Sequence, residues 1–234
     1  LLAETKNCPI TETEKKAVGR YLDWHTGILL ETDGKMGIYR KKSGKLIYKE
    51  KADSEDGYLG MYLFLMGKYL EKTENTDLPE YWKKGISLAL KKIQSLMQDG
   101  ITQVSEENTT VYLMDNLEVW KGLYELEHAG LKDVQAIREM RNKLQAQIEK
   151  LFWDDANQRW RIIENSNLYH QKEFYPDGVA QIYPLIYEFP VKEKKKQKIL
   201  YDQFTEKFQW QKLNKKINGF LWAMTGMAAA QMGD

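Results

Sequence analysis

Apolar residues recur at helical spacing along most of this chain, and that periodicity limits the possible fold more than any other feature. After Thr11, for example, Ala17, Val18, Tyr21 and Leu22 share one face of a predicted helix. The same spacing predicts eight helices, over residues 11–27, 55–71, 79–98, 109–129, 131–152, 178–188, 193–208 and 217–232.

Extended segments are few and short. Glycines punctuate residues 34–49 and predict a β-hairpin, a short extended piece is expected at 101–104, and a second hairpin is expected over 153–164. The alternation of helices with short and long connections is typical of stacked helical hairpins, with a weak repeat of about 40–50 residues. We therefore expect one all-α domain over residues 1–234, an (α/α) toroid with small β-hairpins in its connections. An ordinary orthogonal helical bundle fits the same pattern.

Charge and cysteine content exclude several classes of function. The 35 basic and 34 acidic residues nearly cancel, so no global field draws the protein to nucleic acid or to an anionic membrane. No apolar run is long enough to span a membrane. The single cysteine, Cys8, rules out an internal disulfide, and the three scattered histidines lack metal-ligand spacing. We expect a monomer that needs no metal and no cofactor.

The lack of disulfides suits an exported bacterial protein as well as a cytosolic one. We expect an extracellular or cell-envelope location, with an export segment outside the given chain, and leave a cytoplasmic location open.

Acidic residues stand at the starts of three predicted helices. Glu55 and Asp56 follow Ser54 before an apolar helix, Asp115 opens a second helix, and Asp177 precedes a third. Hydrolysis of a glycosidic bond needs such carboxyl groups, one to protonate the leaving oxygen and one to activate water or stabilise positive charge. Ser, Asp and Glu are also ordinary helix caps, because they accept hydrogen bonds from unpaired backbone N–H groups. The acidic residues at these helix starts therefore predict either a catalytic site or simple helix capping.

Burial and aromatic content bear on the same choice. A carboxyl group buried among aromatic rings has its pKa raised by desolvation, although a helix N-terminus opposes that shift. The 7 Trp and 14 Tyr residues suit stacking on sugar rings, and they suit a helical core equally well. Candidate stacking residues are Trp24, Tyr58, Trp120, Tyr175 and Trp222.

Two short motifs resemble glycoside hydrolase family 8, which belongs to the six-hairpin (α/α)6-barrel glycosidases. Ser54-Glu55-x-x-x-x-Gly60-Met61 is similar to that family's Ser-Glu-Gly-Gln-Ser-Tyr-Gly-Met motif. The segment from Met114 to Glu118 is similar to its Asp-Gly-Asp-x-Asp/Glu-Ile-Ala segment, and residues 220–234 resemble the last helix of such barrels. The resemblance implies that Glu55 is the proton donor and that Asp115 contacts the sugar at the cleavage point.

The chain also departs from the family pattern. Asp56 and Gly57 replace Gly-Gln, no counterpart of the family's catalytic-base motif is present, and eight helices are fewer than the twelve of a full barrel. A shortened member, or a relative such as glycoside hydrolase family 126, fits these departures.

These observations predict an inverting glycoside hydrolase that acts on an oligo- or polysaccharide such as a glucan or an exopolysaccharide. Glu55 would be the acid, Asp115 would hold the distorted sugar or help to position water, and Asp177 or Asp56 would be the base. Inversion implies acid and base carboxyl groups about 6.5–9.5 Å apart. The alternatives are a carbohydrate-binding protein without activity and a helical-repeat protein that binds other proteins.

Overall fold

The computed structural model describes residues 10–74, 77–164, 173–190, 194–212 and 222–233. The helices in these ranges are α1 (Glu12–Glu31), α2 (Glu55–Thr73), α3 (Glu80–Leu96), α4 (Leu113–Glu127), α5 (Gln135–Phe152), α6 (Val179–Ile186), α7 (Lys194–Phe208) and α8 (Trp222–Met232). Three antiparallel hairpins connect some of them: β1 (Gly37–Lys42) with β2 (Lys45–Lys51), β3 (Met97–Gln98) with β4 (Ile101–Thr102), and β5 (Trp153–Asp154) with β6 (Arg159–Trp160).

This architecture confirms the predicted all-α fold class with small β-hairpins. Each α-helix in the described ranges corresponds to one predicted from the periodicity, and both predicted hairpins form. The hairpin of β3 and β4 differs in part from the prediction. The extended piece at 101–104 contains β4, but the predicted helix over 79–98 includes residues 97–98, which form β3. Asp99 and Gly100 both have positive φ angles, 50° and 87°, as the two central residues of a tight hairpin turn require. No helix in these ranges has the length and apolarity needed to cross a bilayer.

Helices α2 and α4 touch backbone to backbone at the centre of the fold. A Cβ atom added to Gly122 would stand 2.2 Å from the carbonyl oxygen of Gly60, and one added to Gly60 would stand 2.6 Å from the backbone nitrogen of Val119. Only glycine allows so close an approach. The contact brings the start of α2 against the first turns of α4, where the acidic residues of both helices lie.

Trp120, which was predicted to line a sugar-binding groove, lies in the core instead. It is 2% exposed and stacks on Tyr124, with the ring of Phe189 edge-on against it. Its indole Nε1–H donates to the side chain of Gln145 at 3.3 Å. The aromatic ring is therefore used for packing, and no face of it is left for a ligand.

Candidate active site

A cleft of about 380 Å³ opens between α1 and α2. Its walls are mainly aromatic and apolar, and one carboxyl group from α4 reaches it. The lining residues are Tyr21, His25, Tyr58, Met61, Tyr62, Phe64, Leu65 and Glu118. A largely apolar cleft with a few polar groups is typical of a small-molecule site.

His25 contributes a neutral imidazole to this cleft. Burial lowers the pKa of His25 to about 4, so the ring carries no charge near neutral pH. Its Nδ1 is buried and has no hydrogen-bond partner within the described part of the chain. The rings of Tyr21 and Tyr62 pack against it edge-on, which fixes the imidazole in the wall.

Glu118 is held in the cleft by two tyrosines that follow the start of α6. Tyr183 donates its hydroxyl proton to Oε1 of Glu118 at 2.9 Å, and the Tyr187 hydroxyl lies 3.4 Å from the same oxygen. Burial raises the pKa of Glu118 to about 7, while the two tyrosine hydroxyls act in the opposite direction. Glu118 therefore changes charge close to neutral pH.

Asp115 lies one helical turn before Glu118 and shares its face of α4. Both side chains surround Gly57: the point where a Cβ of residue 57 would stand is 2.6 Å from Glu118 Oε2, 2.7 Å from Ser54 Oγ and 3.6 Å from Asp115 Cβ. Burial raises the pKa of Asp115 to about 8, and the nearby carboxyl groups of Asp56 and Glu118 add to the shift. Two carboxyl groups with raised pKa values thus lie side by side.

Asp56, one of the two predicted bases, is not accessible. It is 0% exposed, and its oxygens accept hydrogen bonds from Ser54 Oγ at 2.8 Å and from the backbone N–H of Gly57 at 2.9 Å. Thr102 Oγ1 lies 2.7 Å from its other oxygen. A base has to reach a water molecule beside the substrate, so this buried position does not suit that role.

Glu55, the predicted proton donor, belongs to a different group of charges. Burial raises the pKa of Glu55, Glu106 adds to the shift, and Lys51 and Lys92 oppose it. Since residues 55 and 57 are two positions apart on one helix, they lie on different faces of α2. The structure places Glu55 toward the 105–107 connection, whereas Asp115 and Glu118 gather around Gly57.

Tyr175 and Asp177 lie in the π-helical turn Phe174–Gly178 that leads into α6. Burial raises the pKa of the Tyr175 hydroxyl, and the negative groups Asp115, Asp53 and Glu118 add to the shift, so this hydroxyl lies within electrostatic reach of the same carboxyl groups. Asp177 is buried, and its carboxylate accepts a long hydrogen bond of 3.4 Å from the backbone N–H of Glu173. The turn thus brings Tyr175 to the site, and Asp177 helps to close the turn.

The remaining predicted stacking residues have different positions. Tyr58 lines the cleft and is 36% exposed. Trp24 is partly buried between Tyr21 and Tyr39, so it joins the cleft wall to the β1–β2 hairpin. The side chain of Trp222 lies outside the described residues.

Sequence reasoning overlooked Glu118 and His25 as site residues. Glu118 stood inside the motif segment that singled out Asp115, and its spacing of three residues was a usable signal, because such residues share a helix face. His25 follows Tyr21 by four residues, which also places both on one face. Among the described residues no three His, Cys, Asp or Glu side chains are arranged to hold a metal ion.

Comparison with known proteins gives one informative likeness. No protein-family model matches the chain, and no curated protein matches it. A solved structure described as a rhamnosidase from Klebsiella oxytoca with rhamnose bound superposes with a TM-score of 0.56 at 10% sequence identity. The superposition covers 86% of this chain and 39% of that one. This chain thus spans well under half of the rhamnosidase, and the likeness is one of fold.

Proposed function

We propose that this protein is a glycoside hydrolase in which Asp115 donates the proton and Glu118 acts as the second carboxylate. The observation that carries the proposal is the pairing of two carboxyl groups with raised pKa values on one face of α4, beside an aromatic cleft. Groups with pKa values near or above neutrality can hold a proton for the leaving oxygen at working pH. The likeness in fold to a rhamnosidase supports this reaction class.

The hydrogen-bond partners of the two carboxyl groups divide the roles. Burial raises both pKa values, to about 8 for Asp115 and to about 7 for Glu118, so one of the pair can hold a proton near neutral pH. The hydroxyls of Tyr183 and Tyr187 stabilise the ionised form of Glu118. Asp115 therefore suits the acid, and Glu118 suits the group that activates water or stabilises positive charge.

The walls of the cleft suit a saccharide. Tyr21 and Tyr58 line the cleft together with Glu118, and Tyr175 lies within electrostatic reach of Asp115 and Glu118. Each of the three tyrosines is more than a third exposed. Aromatic faces with a polar edge can stack on a sugar ring and hydrogen-bond its hydroxyls. An oligo- or polysaccharide is the proposed substrate, and a rhamnose-containing one is the first to test because the similar structure holds rhamnose.

Several finer predictions stay proposals. Assignment to glycoside hydrolase family 8 or 126 and inversion of configuration rest on the two short motifs, which also imply Glu55 as the donor in place of Asp115. The single domain, the monomeric state and the extracellular or cell-envelope location rest on the sequence alone. The ratio of product anomers, measured by proton NMR during hydrolysis, tests inversion directly.

A carbohydrate-binding protein without activity is the second candidate. The observation that favours it is the composition of the cleft, where Glu118 is the one acidic side chain among the described lining residues. Stacking tyrosines without a competent acid and base would bind a saccharide and leave it intact.

The test is to incubate the protein with aryl α-L-rhamnoside, glucans, xylans and bacterial exopolysaccharides and to measure new reducing ends. An Asp115→Asn/Glu118→Gln double variant serves as the blank. We expect hydrolysis of at least one substrate by the wild type and none by the double variant. Calorimetric binding without turnover by either protein would favour the second candidate instead.

The pH profile of the wild type gives a prediction of its own. Activity should rise as Glu118 ionises near pH 7 and fall as Asp115 loses its proton near pH 8, which gives a narrow bell. Tyr183→Phe removes a hydrogen bond that lowers the pKa of Glu118, so its pKa should rise and the acid limb should move to higher pH. Tyr81→Phe, on α3, should move neither limb of the profile. If the acid limb of Tyr183→Phe stays at the pH of the wild type or moves to lower pH, Glu118 is not the group whose ionisation activates the enzyme.

A further inference from the structure

Asp56 lies directly behind the proposed reaction site, and the proposed function gives it no chemical step. It is fully buried between the start of α2, strand β4 and the first turn of α4. One carboxyl oxygen, Oδ1, accepts from Ser54 Oγ at 2.8 Å and from the backbone N–H of Gly57 at 2.9 Å. The other, Oδ2, is 2.7 Å from Thr102 Oγ1. Two donors thus serve Oδ1, while the contact of Oδ2 depends on a single hydroxyl.

The same Thr102 hydroxyl has a second acceptor, Asn116. The amide nitrogen of Asn116 donates to the carbonyl oxygens of Thr102 and Tyr112, each at 2.9 Å, and this fixes the orientation of the amide. Its Oδ1 then accepts from the backbone N–H of Thr102 at 2.8 Å and lies 2.8 Å from Thr102 Oγ1. Thr102 Oγ1 is therefore placed between two oxygens, Asp56 Oδ2 and Asn116 Oδ1.

Counting hydrogens decides between two arrangements. A threonine hydroxyl carries one hydrogen and can donate it once. If Asp56 is ionised, the hydrogen goes to one of the two oxygens, and the other buried contact sets two lone pairs against each other at a cost. If Asp56 carries a proton on Oδ2, its O–H donates to Thr102, and Thr102 donates to Asn116. Every contact is then a hydrogen bond.

We infer that Asp56 is held in the folded protein as a neutral carboxylic acid, whose O–H donates to Thr102 and completes a one-directional hydrogen-bond chain that ends at Asn116. Burial raises the pKa of Asp56, which acts in the same direction. The titratable groups that face Asp56 from α4 are Asp115 and Glu118, both acidic. A neutral Asp56 avoids a further negative charge beside them.

The chain continues toward the proposed reaction site through Ser54. Because Oδ1 of Asp56 is an acceptor, the one hydrogen of the Ser54 hydroxyl points to it. Ser54 Oγ and Asp115 Cβ lie 2.7 and 3.6 Å from the point where a Cβ of residue 57 would stand, so the two side chains are neighbours. With its one hydrogen directed to Asp56, the Ser54 hydroxyl presents only lone pairs to the carboxyl group of Asp115. Asp56 is thus a positioning residue that favours a proton on Asp115, a consequence that rests on the proposed function.

Asp56→Asn tests the protonation of Asp56, because the amide copies a neutral acid: its NH₂ can donate to Thr102 while its oxygen accepts from Ser54 and Gly57. A neutral Asp56 has a folded pKa above its unfolded value of about 3.9, so the stability that its proton contributes is lost as pH rises above about 4. Asparagine does not titrate, so the variant keeps that contribution, while the other titrating groups act alike in both proteins. We expect melting temperatures within about 2 °C of each other at pH 4. At pH 7 the variant should melt higher by about 4 °C or more.

Asp154→Asn is the matched control. Asp154 is also buried, but its neighbours are donors: the backbone N–H groups of Ala156 and Asn157, the Asn157 side chain at 3.0 Å, and Arg161. The Asn157 side chain is the largest of several contacts that lower the pKa of Asp154. An amide there loses acceptors, so the melting temperature at pH 7 should fall by about 4–8 °C. If the melting temperature of Asp56→Asn at pH 7 also falls below that of the wild type, the inference is wrong.

An infrared measurement tests the proton directly and needs neither activity nor a folded Asp56→Asn variant. In protein labelled with ¹³C-aspartate and carrying Asp115→Asn, a carboxylic-acid C=O band at pH 7 is expected from Asp56. Carboxylate bands alone would overturn the inference. The band does not depend on hydrolysis. A negative hydrolysis assay would therefore contradict the proposed function without contradicting the protonation of Asp56.

Discussion

Asp115→Asn should lower kcat/KM for an unactivated oligosaccharide by about 10²–10⁴-fold, the usual contribution of a general acid. Asparagine has nearly the size of aspartate, so the first turn of α4 should keep its packing, but an amide cannot transfer a proton to the leaving oxygen. Circular dichroism and melting temperature check that the variant remains folded. Steady-state rates with the best substrate from the panel give the loss.

The dependence on the leaving group identifies the missing proton. An aryl glycoside releases an acidic phenol that needs little protonation, so Asp115→Asn should lose far less activity on it than on the oligosaccharide. Glu55→Gln is the matched control, because Glu55 lies among the charges of Lys51 and Glu106. Its activity should stay close to that of the wild type. The reverse result, a large loss in Glu55→Gln and a small one in Asp115→Asn, would assign the donor to Glu55 as the motif resemblance implies.

Gly122→Ala should destabilise the protein by about 3 kcal/mol and lower the melting temperature by about 6–12 °C. The added methyl group would stand 2.2 Å from the carbonyl oxygen of Gly60, which is backbone and cannot rotate away. Helices α2 and α4 would have to separate, and Glu118 would move away from Gly57. Activity should therefore fall even at temperatures where the variant is folded. Thermal melts and rates at 20 °C below the melting point measure both effects.

Gly27→Ala is the control for the glycine substitution itself. Gly27 lies inside α1, and a Cβ there meets no atom within 4 Å. Alanine favours a helix interior over glycine by about 0.5–1 kcal/mol, so this variant should melt slightly higher than the wild type. Equal stability of the two variants would show that the backbone contact between α2 and α4 is looser than the structure has it.

The helices could be predicted because their signals are local. A helix of α1's length repeats its apolar face several times, and Thr11 with Glu14 forms a capping box at its start. The β3–β4 hairpin was harder, since Met97 and Gln98 continue a helical pattern and only the turn at Asp99-Gly100 redirects them. Over these two residues the helical pattern and the turn predict different structures, and the strand pairing across the turn determines which one forms.

The sequence by itself determined the all-α class, the helices and the acidic residues at their starts, because these follow from spacing and capping within about a dozen neighbouring residues. Only the tertiary structure decided which carboxyl groups meet. The glycine contact between α2 and α4 turns Gly57 toward Asp115 and Glu118, directs Glu55 elsewhere and buries Asp56. Direction around a helix and contact between distant helices depend on packing, and packing is a property of the whole chain.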